Sequence, residues 1–198
     1  MLKNIPKIVS PQLLKVLCEM GHGDEIVLAD GNFPAESMGK GAIVVRADGH
    51  GVAELLDAVL ALVPLDQYAE QPAALMEAVP GDPCVPVIWD EYKALLDAHG
   101  EDSQRIQMLE RFAFYERAKK AYAVVATGET AIYANILLKK GVVQSAEKQL
   151  SLPLISELPA AEPSKRCTTV RRFLTKRCTV LRIAHGKRTD ACAGTFPH

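Results

Sequence analysis

Between residues 11 and 143, short apolar runs rich in Ile and Val alternate with longer segments whose apolar residues recur every three or four positions. "EIVLAD" and "AIVVRAD" are of the first kind. "HGVAELLDAVLALVP" is of the second, with Val52, Leu55, Leu56, Val59, Leu60 and Val63 at helical spacing before Pro64. A brief apolar run fits a buried strand, and a stripe repeating every 3.6 residues fits a helix with one face on a core. Alternation of the two predicts an α/β fold, a layered sandwich with a central sheet flanked by helices.

Punctuation residues sharpen the boundaries. In "SPQLLKVLCEMG", Ser10 is placed to cap a helix, Pro11 to open it and Gly21 to stop it. "GNFPAESMGKG", dense in turn residues, reads as a surface loop joining two buried strands. "AALMEAV" is a weaker strand candidate, and "VIWDEYKALLDAH" and "RFAFYERAKKA" are further amphipathic helices, the last running into the strand "YAVVATGE". "NILLKKGVV" fits either a strand or a helix by pattern alone.

The 198 residues and 48% hydrophobic content suit one globular domain with a real core. Five cysteines at irregular spacing form no C-x-x-C pair, so neither a disulfide framework nor a structural zinc site is expected. No apolar run approaches the roughly 18 residues that span a bilayer, and "MLKNIPKIVS" has no leader pattern, which predicts a cytoplasmic protein without membrane contact. Charge divides the chain: residues 1–143 carry a net −7 and residues 144–198 a net +6. After Val143 come three prolines in "QSAEKQLSLPLISELPAAEPSKRC" and one near-repeat, "KRCTTVRRF" against "KRCTVLRIA". Residues 1–143 are therefore expected to be the working domain and 144–198 a disordered basic extension. Its basic residues lack aromatic interleaving, so nucleic acid is not an expected partner.

The residues that can carry chemistry are scattered. His22 lies between Gly21 and Gly23 at a helix-to-strand junction, where it can cap, ligate a metal or transfer a proton. Asp24 and Asp30 follow, but His50 and His99 have no tight spacing to His22, and a zinc site needs three or four ligands. Arg46 and Asp48 close a strand and His50 opens a helix, and turn and capping duty accounts for Asp48 and His50. Arg111 and Tyr115 stand near a helix start, and Arg111 has the fork geometry that binds hydroxyl or carboxylate oxygens. "ATGETAIYAN" projects Tyr133 and Asn135 from an irregular segment and lacks the G-x-x-x-x-G-K-[ST] phosphate loop. No G-x-S-x-G elbow is present. One His with carboxylates, Arg, Tyr and Asn suits a small polyhydroxylated ligand and proton transfer. A non-catalytic sugar binder and a metal-dependent hydrolase built on His22, Asp24 and Asp30 remain as alternatives.

"VSPQLLKVLCEMGHGDEIVLADGNFPAESMG", "IVVRADG", "RFAFYERAKKAYAVVATGE" and "YANILLKKGVV", in that order from about residue 4 to 143, resemble the L-fucose mutarotase and ribose pyranase family. "RFAFYERA" and "NILLKKG" favour the fucose branch. The resemblance implies a ribose-pyranase-like sandwich that interconverts sugar anomers without metal or organic cofactor. It also implies a homo-oligomer with sites near subunit contacts, acting on L-fucose, with ribose as the alternative. By position it makes His22 the catalytic proton donor, Asp30 and Arg111 substrate-binding residues, and Tyr133, Ala134 and Asn135 a short substrate-binding segment. It also makes "NILLKKGVV" a C-terminal strand and leaves Asp24, Arg46 and Tyr115 without a role. Family members typically end soon after that strand, so residues 144–198 depart from the pattern. The implied chemistry needs a proton on the ring oxygen and removal of one from the anomeric hydroxyl, for which imidazole is suited near neutral pH.

Overall fold

The computed structural model describes residues 2–143; the extension expected over 144–198 lies outside the described residues. Within them the elements run α1 (Pro11–Glu19), β1 (Glu25–Ala29), α2 (Ala35–Met38), β2 (Ile43–Ala47), α3 (Val52–Leu60) and β3 (Ala73–Met76). Then follow α4 (Ile88–Ala98), β4 (Ile106–Leu109), α5 (Arg111–Ala118), β5 (Ala123–Thr127) and β6 (Ile136–Lys139). The strands form one six-stranded sheet in the order β2-β5-β1-β6-β3-β4. β1 pairs parallel with β5, β5 with β2 and β3 with β4, while β6 runs antiparallel to both β1 and β3. All strands but β6 therefore point the same way, and their carboxyl ends share one edge of the sheet.

Period-two alternation sorts the strand side chains onto two cores. Ile26, Leu28, Val125, Ile136 and Leu138 pack with residues of α1, α3 and α4 on one face. Val27, Ala29, Val124, Ala126 and Leu137 pack with Ala35 of α2 and with Phe114 and Ala118 of α5 on the other. The expected layered sandwich is present, and "NILLKKGVV" supplies a strand. Ser10 caps α1 as its position suggests, its hydroxyl accepting from Leu13 N at 3.1 Å.

Three sequence expectations change. "GNFPAESMGKG" is more than a surface loop: it contains α2, and Phe33 and Ala35 are buried in the second core. "AIVVRAD" is an edge strand with Arg46 exposed, because β5 is inserted between β2 and β1. β4, "IQML", had no strand signal and closes the opposite edge of the sheet. Among the described residues no helix is long and apolar enough to cross a membrane.

Candidate active site

Two polar clusters occupy opposite edges of the sheet. At the carboxyl edge Asp30 follows β1 and Asn135 precedes the antiparallel β6, so the topology sets side by side two residues 105 positions apart. Both are buried. Asp30 N donates to Asn135 Oδ1 at 2.9 Å, and Asn135 Nδ2 donates to Asp30 Oδ2 at 2.7 Å. Asn32 N donates to Asp30 Oδ1 at 2.9 Å. Burial pushes the Asp30 carboxyl up, and the hydrogen bonds from Asn32, Phe33, Asn135 and Ala134 offset only part of that rise. Asn135, expected only as a ligand contact, spends most of its amide on Asp30.

The 133–135 segment is held by the helix beside it. Trp89 Nε1 donates to Tyr133 O at 2.8 Å, and Tyr92 OH donates to Ala134 O at 2.8 Å. Tyr133 has φ 59°, a left-handed conformation uncommon for a residue with a large side chain. Upstream, Gly128 sits where any Cβ would collide with the Asp48 carbonyl, so the turn after β5 requires glycine. Arg111, the first residue of α5, is exposed with its guanidinium 4.9 Å from the Phe112 ring centroid. α5 follows β4, and β4 runs parallel to β1 across the sheet, so Arg111 stands at the same carboxyl edge. Tyr115 packs edge-on to Phe33, with ring centroids 5.5 Å apart, beside the turn that holds Asp30.

His22 stands at the other edge. Its turn hangs from the end of β6: Gly23 N donates to Lys140 O, Lys140 N to Asp24 O, and Lys140 Nζ to Leu17 O of α1 and to Met20 O just past it. Gly23 takes φ 88°, which glycine tolerates, and Asp24 Oδ2 accepts from Gly21 N at 2.7 Å, giving Asp24 a structural role in the turn. The same strand end carries a buried carboxylate, since Asp66 N donates to Lys139 O. Asp66 Oδ1 lies 3.1 Å from His22 Nε2. Asp66 is 5% exposed in its side chain and His22 48%, so one imidazole nitrogen is anchored while the ring stays open to solvent. Tyr68 N also bonds Asp66, at 3.0 Å, and the Lys139 ammonium lies 3.7 Å away. Burial alone would raise the Asp66 carboxyl, but the bonds from Tyr68 and His22 and the charges of His22 and Lys139 hold it below the usual carboxylate range.

Asp66 was missed by sequence reasoning; "PLDQY" has no periodicity, and only the return of β6 brings it to His22. The other residues single out plainly. Arg46 pairs with Asp48 at the exposed edge strand, and His50 Nδ1 lies 3.2 Å from Glu54 Oε1 at the start of α3. Asp30 and His22 are separated by all of β1, five residues at about 3.3 Å each, or about 16 Å. They cannot touch one monosaccharide or share one metal ion within a chain.

A protein-family model described as the RbsD / FucU transport protein family matches residues 3–143. "Fucose mutarotase" of Danio rerio is 55% identical over 152 residues, covering 74% of this chain and 97% of that protein. The crystal structure of FucU from Bifidobacterium longum superposes with TM-score 0.70 at 62% identity, covering 72% of this chain and all of that one. The fucose mutarotase of Streptococcus pneumoniae, solved in complex with L-fucose, gives TM-score 0.69 at 55% identity with the same coverage. With a helix-flanked six-stranded sheet and a family model that matches residues 3–143, the chain belongs to the RbsD/FucU family.

Proposed function

We propose that this chain interconverts the α and β anomers of L-fucose by acid- and base-catalysed opening and closing of the sugar ring, with residues 1–143 as the working domain. The observation that carries the reading is the His22–Asp66 pair, a proton-transfer group oriented by a buried carboxylate, in a chain whose relatives are named fucose mutarotases. Asp66 accepts a hydrogen bond from Nε2–H; when the ring is the imidazolium, Nδ1 also carries a proton, which it gives to the ring oxygen and takes back on reclosure. Asp30, Arg111 and the 133–135 segment receive the sugar hydroxyls. Protonation of the ring oxygen by His22 and loss of the anomeric hydroxyl proton to a water molecule break the bond from C1 to the ring oxygen and give the open aldehyde; reclosure on its other face returns both protons and completes the exchange. No cofactor enters this scheme.

The two edges act together only if a second copy of the chain brings its His22–Asp66 pair to the carboxyl edge of the first, so a homo-oligomer belongs to the proposal. Exposed apolar side chains flank both edges: Tyr68, whose ring lies 5.9 Å from His22, at one, and Phe112, Ile132, Val85 and Val87 at the other. Such surfaces suit association. A cytoplasmic location completes the reading, and cell fractionation checks it. Running magnetisation exchange between sugar anomers side by side on L-fucose and D-ribose tests the substrate; faster ribose than fucose exchange moves the chain to the ribose alternative. Sugar binding without faster exchange would instead support a non-catalytic binder.

A further inference from the structure

The loop between β3 and α4 reaches across the carboxyl edge and takes hold of Tyr133. Tyr133 OH donates to Asp82 Oδ2 at 2.6 Å, the short range of a hydrogen bond to a charged acceptor. Val79 N donates to the same phenol oxygen at 3.3 Å. Asp82 is itself fixed: its Oδ1 accepts from Cys84 N at 2.9 Å and its own N donates to Val79 O at 3.0 Å, in a turn where Gly81 takes φ 90°. With Trp89 on the Tyr133 carbonyl and Tyr92 on that of Ala134, residues 79–92 hold the Tyr133 phenol oxygen and the main chain of 133–134.

A phenol has one proton and two lone pairs. With the proton directed to Asp82 and one lone pair facing Val79 N, the second lone pair is what remains for a ligand. We propose that Asp82 is a positioning residue for Tyr133, fixing its hydroxyl so that it accepts a hydrogen bond from the sugar rather than donating one. The inference rests on the proposed reading of residues 133–135 as a sugar contact. The hydrogen bond to the Asp82 carboxylate also holds the Tyr133 hydroxyl above its ordinary ionisation range.

Two measurements on the full chain test this. Tyrosinate absorbance, with Tyr133→Phe identifying the Tyr133 contribution, follows its ionisation; Asp82→Ala and Asp82→Asn are expected to shift that ionisation to lower pH. An unchanged titration overturns the tie. In L-fucose anomer exchange, Asp82→Ala is expected to lower the rate about tenfold through lost orientation. Asp82→Asn, whose amide oxygen still accepts, should keep most of the rate, and Asp82→Ala combined with Tyr133→Phe should be no slower than Tyr133→Phe alone. Additive losses, or equal losses in the Asn and Ala variants, contradict action through Tyr133. If the unaltered chain does not exchange L-fucose at all, the functional reading fails while the titration still decides the Asp82–Tyr133 tie.

Discussion

His22 and Asp30 bracket β1, one before its first residue and one after its last, so the strand that connects them in sequence keeps them about 16 Å apart in space. On the proposed reading, the site is completed by a second copy of the chain. Co-expression of His22→Ala with Asp30→Ala is therefore expected to restore part of the exchange activity that each variant lacks alone, because mixed assemblies contain some contacts with both residues intact. Activity no higher than that of the single variants contradicts the shared site. Size-exclusion chromatography with light scattering supplies the oligomeric state of each mixture.

Asp66 orients the imidazole and adds a pH-dependent term to stability. Its folded-state carboxyl lies below the ordinary value of 3.8. The resulting stabilisation is fully present above about pH 4 and is lost as pH falls through the folded-state value. Urea midpoints measured from pH 7 to pH 2 should show a steeper acid loss for the native chain than for Asp66→Asn. The same variant is expected to slow anomer exchange by less than His22→Ala, since the amide oxygen can still accept from the ring.

Asp30 has the opposite sign. Burial raises its carboxyl, so its contribution is fully present below the unfolded value and is lost as pH rises through the raised folded one. Asp30→Ala also strips Asn135 Nδ2 and Asn32 N of their acceptor. A buried donor left without a partner costs about 1–3 kcal/mol. Calorimetry should show a lower Tm, and titration with L-fucose should show weaker binding.

Truncation after Val143 is expected to retain fold and exchange activity, because the family match ends at that residue. Circular dichroism and the exchange assay check it; aggregation or inactivity of residues 1–143 would assign the remainder of the chain a part in the working unit.

Much of the fold was readable because its signals are local. Ser10 and Pro11 start α1, and the Val52–Val63 spacing writes α3 directly. β4 escaped because Gln107 interrupts a four-residue run and none of its residues is fully buried, so the edge strand carries little apolar pattern. α2 was hidden by the glycines and proline around it, which signal turns more strongly than four residues signal a helix. The site was legible mainly through resemblance, since Asp30 and Asn135 meet across 105 residues and no spacing rule links them. The separation of His22 from Asp30 was in principle countable: a strand placed between two residues drives them to opposite edges. Asp66 had no such signal, since its partnership with His22 depends on where β6 ends.

Saturation-transfer NMR on an equilibrated L-fucose solution tests the central claim most directly. Micromolar protein should transfer saturation between the α and β anomeric protons well above the spontaneous rate, and His22→Ala, still folded, should lose about 10²–10⁴-fold of that acceleration. Anomer exchange unchanged by the protein, or a His22→Ala variant as fast as the native chain, would contradict it.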